Sequence, residues 1–184
     1  MFLKRILPIG LIILTIIFGI WRYNNPPCVE NSDYIHRSSW LGDNPFEIKL
    51  ERIPERCGLF PALGGANYIF SSHSGDSENW QQIFTSHHDD LIDIRSDNVR
   101  VLDEKKAYSF IIQKFASTTD GGKSWDVWEI KKNLTNNDCC QNKLIRDVYL
   151  DVDGSGFMRL SSLTNRDSEL TELRTTDFGK TWNP

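Results

Sequence analysis

Beyond residue 45 the apolar residues fall at alternate positions in short runs separated by turn-forming residues. The runs are "FEIKLER" (46–52), "NYIFSS" (67–72), "WQQIFT" (80–85), "LIDIR" (91–95), "NVRVL" (98–102), "AYSFIIQKF" (107–115), "WDVWEI" (125–130), "LIRDVYLDV" (144–152), "GFMRLSSL" (156–163) and "ELTELRT" (169–175). They are rich in β-branched and aromatic residues, which predicts strands. In "DVYLDV" Val148, Leu150 and Val152 share one face, and Asp147, Tyr149 and Asp151 the other, as a half-buried strand requires. No stretch after the N-terminal one keeps a helical period, so residues 46–184 are expected to form an all-β domain.

A different pattern opens the chain. "ILPIGLIILTIIFGIW" (6–21) carries no charge, with Lys4 and Arg5 before it and Arg22 after it. Including residues 1–3, with Lys4 and Arg5 reaching the headgroups, the stretch meets the ~20 residues that a helical span needs. Cleaved signal peptides end on small residues, whereas this stretch runs out through Phe18, Gly19, Ile20, Trp21 and Arg22. Residues 1–22 are therefore expected to be an uncleaved signal anchor, a transmembrane helix. A cleaved signal and a buried apolar helix are the alternatives. Lys4, Arg5 and the terminal amine outweigh Arg22, which places the N-terminus in the cytoplasm and the rest of the chain outside it. Residues 23–45 hold Pro, Asn, Ser and Gly with no sustained period and read as a linker.

Charge narrows the partners. No acidic residue precedes Glu30, so the outer part carries 18 basic against 25 acidic side chains, net −7. Nucleic acid and anionic lipid are bound through clustered Lys and Arg, and such a surface excludes both. Four cysteines, Cys28, Cys57, Cys139 and Cys140, suit an oxidising compartment and at least one disulfide. Three pairings are open. Cys28 and Cys57 flank an irregular, Pro-containing stretch that would gain from a staple. A metal reading of "DCC" (138–140) lacks an accompanying C-x-x-C. "NLT" (133–135) is a glycosylation acceptor in a eukaryotic host.

One pattern occurs twice: "TTDGGKSW" (118–125) and "TTDFGKTW" (175–182). Each follows one expected strand, and Asp and Thr oxygens with a Gly suit a tight turn. The pattern resembles the Asp-box, S/T-x-D-x-G-x-x-W, a hairpin of sialidases, sortilin-type receptors and photosystem II assembly factor propellers. Thr118, Asp120, Gly122 and Trp125 match it, as do Thr175, Asp177, Gly179 and Trp182. A decayed copy, "FSSHSGDSENW" (70–80), aligns on Trp80, with Gly75 and Ser77 at the Asp and Gly places; the tryptophans lie 45 and 57 residues apart. The resemblance implies a repeat of structural turns that lie away from any ligand site. Three units fall short of the 4 to 8 blades of a closed propeller, so an incomplete, propeller-like stack of antiparallel hairpins is expected. Only Asn183 and Pro184 follow Trp182, and the expectation is that Phe46 to Arg52 supplies the strand missing from the last unit.

Chemistry is sparse. "HHDDLID" (87–93) gathers His87, His88, Asp89, Asp90 and Asp93, the best candidates for a ligand or metal site. Alternation separates the two histidines, no distant residue completes a set, and a solvated loop is the expectation. "DVDGSG" (151–156) starts like a calcium loop, but Ser162 stands where a bidentate acid belongs; Asp153-Gly154 between two strands signals a hairpin. The sialidase resemblance implies a set of arginines, a tyrosine nucleophile paired with a glutamate, and a further acid on a much larger platform. Tyr68, Tyr108 and Tyr149 are present, yet nothing marks such a set. The expectation is a membrane-anchored extracytoplasmic protein without catalysis, cofactor or metal. It would bind another protein of the envelope as an assembly, inhibitory or immunity-type factor. A glycan-binding or glycan-degrading module would instead show an aromatic shelf beside paired carboxylates in a cleft, and a structural envelope protein neither.

Overall fold

The computed structural model describes residues 19, 28–29, 32–43, 45–57, 65–74, 79–89, 92–130, 143–162 and 170–184. They form three antiparallel sheets and a short ladder, with no closed barrel among the described residues. The ladder pairs β1 (Cys28–Val29) with β4 (Arg56–Cys57). The first sheet runs β2 (Tyr34–Trp40), β3 (Phe46–Pro54), β5 (Ala66–Ser74), β6 (Gln81–His88). The second runs β7 (Val99–Val101), β8 (Ala107–Ile111), β9 (Lys114–Thr118), β10 (Asp126–Glu129), and the third β11 (Lys143–Leu150), β12 (Gly156–Ser162), β13 (Thr171–Thr175). Each sheet is a meander, the topology that short turns between successive strands produce. An isolated bridge between Arg174 and Asn183 stands where a fourth strand of the third sheet would pair.

The sheets stack through two cores. Every residue of β8, "AYSFI", is buried. Its Ala107 and Ile111 join Phe46, Ile48, Leu50 and Phe70 of the first sheet. Tyr108 and Phe110 point the other way and join Val148, Leu150, Met158 and Leu173 of the third. The middle of the second sheet is thus covered on both faces, which is why β8 reads as a near-continuous apolar run, whereas β11 and β13 alternate. Burying each such aliphatic or aromatic side chain contributes about 1.5–3 kcal/mol.

Several expectations are corrected. "AYSFIIQKF" is two strands, because the chain reverses at Ile112 and Gln113, with Ile112 at φ 59. A β-branched residue in that conformation is held by its burial in the core with the first sheet. "LIDIR" is not a strand over its described part, residues 92–95: the Tyr68 hydroxyl donates to Ile92 O at 2.8 Å and accepts from Ile92 N at 2.5 Å, and Arg52 donates to Asp93 at 3.1 Å. Those bonds hold its backbone against the first sheet without a ladder. The expected linker contains β2, whose partner along its whole length is β3. Phe46 to Arg52 does not close the last unit, since β3 pairs with β2 and β5 inside the first sheet. Both of its edges are already occupied. The expected anchor, residues 1–22, lies outside the described residues apart from Gly19. No helix among the described residues is long and apolar enough to cross a membrane.

Candidate functional site

The repeated motif forms two near-identical turns. In the first, Thr118 Oγ1 donates to Asp120 Oδ1 at 2.8 Å and accepts from the amides of Asp120 at 3.4 Å and Gly122 at 3.1 Å. The Asp120 carboxylate accepts from the Ser124 amide at 2.9 Å and hydroxyl at 2.6 Å. In the second, Thr175, Asp177, Gly179 and Thr181 make the corresponding bonds at 2.7, 3.3, 3.0, 2.9 and 2.6 Å. Both turns need left-handed backbone, at Gly121 and Gly122 (φ 73 and 80) and at Phe178 and Gly179 (φ 62 and 81). Partial burial works to raise the Asp120 and Asp177 carboxyls, but donors from Ser124 and Thr118, and from Thr181 and Thr175, outweigh it and leave both below the ordinary value. These carboxylates are spent within their turns.

The tryptophans tie neighbouring sheets together. Trp125 meets Phe70 of the first sheet edge-on, ring centres 4.9 Å apart, and Trp182 meets Phe115 of the second at 5.4 Å. Phe70 and Phe115 stand ten residues before Trp80 and Trp125, and Glu172 stands ten residues before Trp182. Trp80 sits between β5 and β6, as Trp125 sits between β9 and β10. It faces cations instead of a phenylalanine, with Lys49 Nζ 4.5 Å and the Arg37 guanidinium 5.7 Å from its ring. Gly75 and Ser77, at the Asp and Gly places of the expected decayed copy, lie outside the described residues.

The histidine segment does not converge. His87, exposed on β6, lies 3.2 Å from Asp89 and 3.5 Å from Glu55. Asp93 pairs with Arg52, His88 follows the other parity of the strand, and Asp90 lies outside the described residues. No group of three or more metal-ligating side chains is gathered among the described residues. "DVDGSG" is a turn: Asp151 N donates to Ser155 O at 2.8 Å, Gly154 has φ 94, and Asp153 accepts from the Ser155 amide and hydroxyl. Tyr68 and Tyr108 are fully buried, with hydroxyls on the carbonyls of Ile92 and Val148; burial raises both phenols. Cys139, Cys140 and the 133–135 acceptor lie outside the described residues.

The third sheet carries a surface that the sequence reading missed. Two rows cross its three strands side by side, as the register shows: Asp147, Arg159 and Glu172 in one, Tyr149, Phe157 and Arg174 in the next. The rings of Tyr149 and Phe157 stack with centres 5.8 Å apart and planes at 22°, and the Arg159 guanidinium lies 4.6 Å over Phe157. Glu172 accepts from Arg159 at 3.3 Å and from Arg174 at 2.6 Å, while Arg95 reaches Asp147 at 3.4 Å. Tyr149 stays 47 % exposed and the Arg174 side chain 75 %. The result is an aromatic shelf bordered by a charged row. Its signal was the outward alternation of polar and aromatic residues, visible at Asp147 and Tyr149; the other four residues lie on strands that only the register brings alongside.

The described part of the chain defines an all-β protein of stacked antiparallel meanders. No protein-family model, curated protein or solved structure matches it.

Proposed function

We propose that this is a non-catalytic binding protein of the Asp-box repeat type, held by residues 1–22 on the outer side of a membrane. It docks another protein of the envelope on the outer face of the third sheet. The observation that supports this reading is the stacked Tyr149–Phe157 pair beside Arg159, Glu172 and Arg174. Tyrosine and arginine dominate the energetics of protein interfaces because each combines large contact area with fixed polar geometry. The Glu172 carboxylate, accepting from both Arg159 and Arg174, keeps the two guanidiniums oriented before a partner arrives, which lowers the ordering cost of binding. The two turns supply none of this chemistry. On this reading they are structural, and the sheets form part of a propeller-like stack.

A glycan-binding reading is favoured by the same shelf, since a flat pair of rings also accepts the apolar face of a sugar. A photo-crosslinking residue at position 149 of the full-length chain in intact membranes separates the two. A protein docking surface yields one discrete protein adduct, which is absent when the probe is at exposed Val127 and lost with Arg159→Glu. Equal adducts from both positions, or none, overturn the proposal. Sugar binding by the purified protein that is abolished by Tyr149→Ala would establish the glycan reading.

A further inference from the structure

The two-residue ladder beyond the open end of the β2–β3 hairpin places two cysteines opposite each other. β1 and β4 are antiparallel, with Cys28 directly opposite Cys57 and Val29 opposite Arg56. Directly opposed antiparallel residues have Cα atoms about 4.5 or 5.5 Å apart, according to the type of pair. Both spacings fall within the ~4.4–6.8 Å that a disulfide spans. We propose that Cys28 and Cys57 form a disulfide, so that of the three pairings open to four cysteines the one joining these two strands is selected.

Three observations make the bond useful as well as feasible. A ladder of two residue pairs is too short to persist on its own hydrogen bonds. The chain just after it is already tied down: Asp33 N donates to Arg52 O at 3.0 Å, and the Arg52 guanidinium donates to both Asp33 oxygens at 2.9 and 3.4 Å. From there β2 and β3 pair in register from Tyr34–Arg52 to Trp40–Phe46. The disulfide would therefore seal the open end of a long hairpin whose interior is already fixed. It would also anchor to the first sheet the segment that leads in from the apolar N-terminus.

The chemistry balances with a disulfide oxidant of an oxidising compartment, a thiol–disulfide oxidoreductase or a small-molecule disulfide. Two S–H bonds break and one S–S bond forms; two electrons and two protons pass to the oxidant, whose own disulfide becomes two thiols. The location of the domain rests on the export reading, but the juxtaposition of the cysteines does not.

The test uses the full-length chain, alkylated before lysis, digested without reductant and mapped by mass spectrometry. The expected result is a peptide containing Cys28 linked to one containing Cys57, separating on reduction. Cys28→Ser and Cys57→Ser should each lower Tm by the same amount, on the order of 10 °C for a loop of this size, and the double variant no further. Linkage of either residue to Cys139 or Cys140 overturns the proposal. If the recovered thiols are free, the purified chain in a glutathione redox buffer decides. Formation of the Cys28–Cys57 link there upholds the pairing and counts against the oxidising location, whereas failure to form it overturns the pairing.

Discussion

The turns at 118–125 and 175–182 make the same side-chain hydrogen bonds, with lengths that agree to within 0.1 Å, yet their tryptophans live differently. Trp125 is half-buried and donates from Nε1 to Gly122 O at 3.2 Å. Trp182 is buried, and its Nε1 has no hydrogen-bond partner among the described residues. A Cβ at Gly122 would meet a movable Ser72 hydroxyl at 3.0 Å, whereas one at Gly179 would meet the Phe115 ring at 2.4 Å. The polar half of the turn is written in its own eight residues. The aromatic half is set by the sheet next door.

The largest separation is expected from the tryptophans. Trp182→Ala should cost about 4 kcal/mol, the range of a buried aromatic truncation, and Trp125→Ala about half that; equal losses in urea denaturation would erase the distinction. Trp182→Phe sharpens it. That change removes an N–H without a partner, so it should cost less than Trp125→Phe despite the deeper burial of the site.

Next come the glycines. Either alanine must take a left-handed backbone, at about 1–2 kcal/mol, and Gly179→Ala adds overpacking of about 1–3 kcal/mol against Phe115. Gly179→Ala should therefore be the more damaging by at least 1 kcal/mol, read as a shift of the urea midpoint at constant slope. The reverse order would place the tighter packing at the first turn.

Acid should treat the turns alike. The folded-state carboxyls of Asp120 and Asp177 lie below their unfolded value near ~3.9, so their contribution is complete above that pH and is lost as pH falls through the folded values. Urea midpoints measured between pH 5 and 2 should fall with acid in the native chain. Asp120→Asn and Asp177→Asn should each flatten that fall equally, and a flattening by only one of them would break the equivalence.

The smallest effect is the closest match. Ser124→Ala and Thr181→Ala each delete a hydroxyl donating at 2.6 Å to a half-buried turn carboxylate, a loss of about 1 kcal/mol. Thermal melts should find the two indistinguishable.

What could be read from sequence follows the same division between local and distant causes. Alternation located β3, β5, β11 and β12, because buried positions alternate in each with half-buried or, in β11, exposed ones. The Asp153-Gly154 turn carried its own signal, and so did the repeated turns. The reversal at Ile112–Gln113 has no glycine, asparagine or proline to mark it, and a core supplied by another sheet imposes it. β2 went unseen because "YIHRSSW" is largely exposed and its order comes from the ladder to β3. The shelf was legible only at Asp147 and Tyr149, since Phe157, Arg159, Glu172 and Arg174 arrive on other strands through a register that alternation alone does not specify.

The burial of β8 on both faces has a mechanical consequence. A strand with no wetted side has no stable state in which one neighbour is missing, because the departure of either flanking sheet lays bare a row of aromatic and aliphatic side chains. The second sheet therefore couples the other two as a shared wall couples two rooms. A cavity cut at Leu50 in the first sheet weakens the wall against which Met158 of the third rests. Amide protons of β8 should accordingly exchange only when the whole stack opens, as one cooperative body.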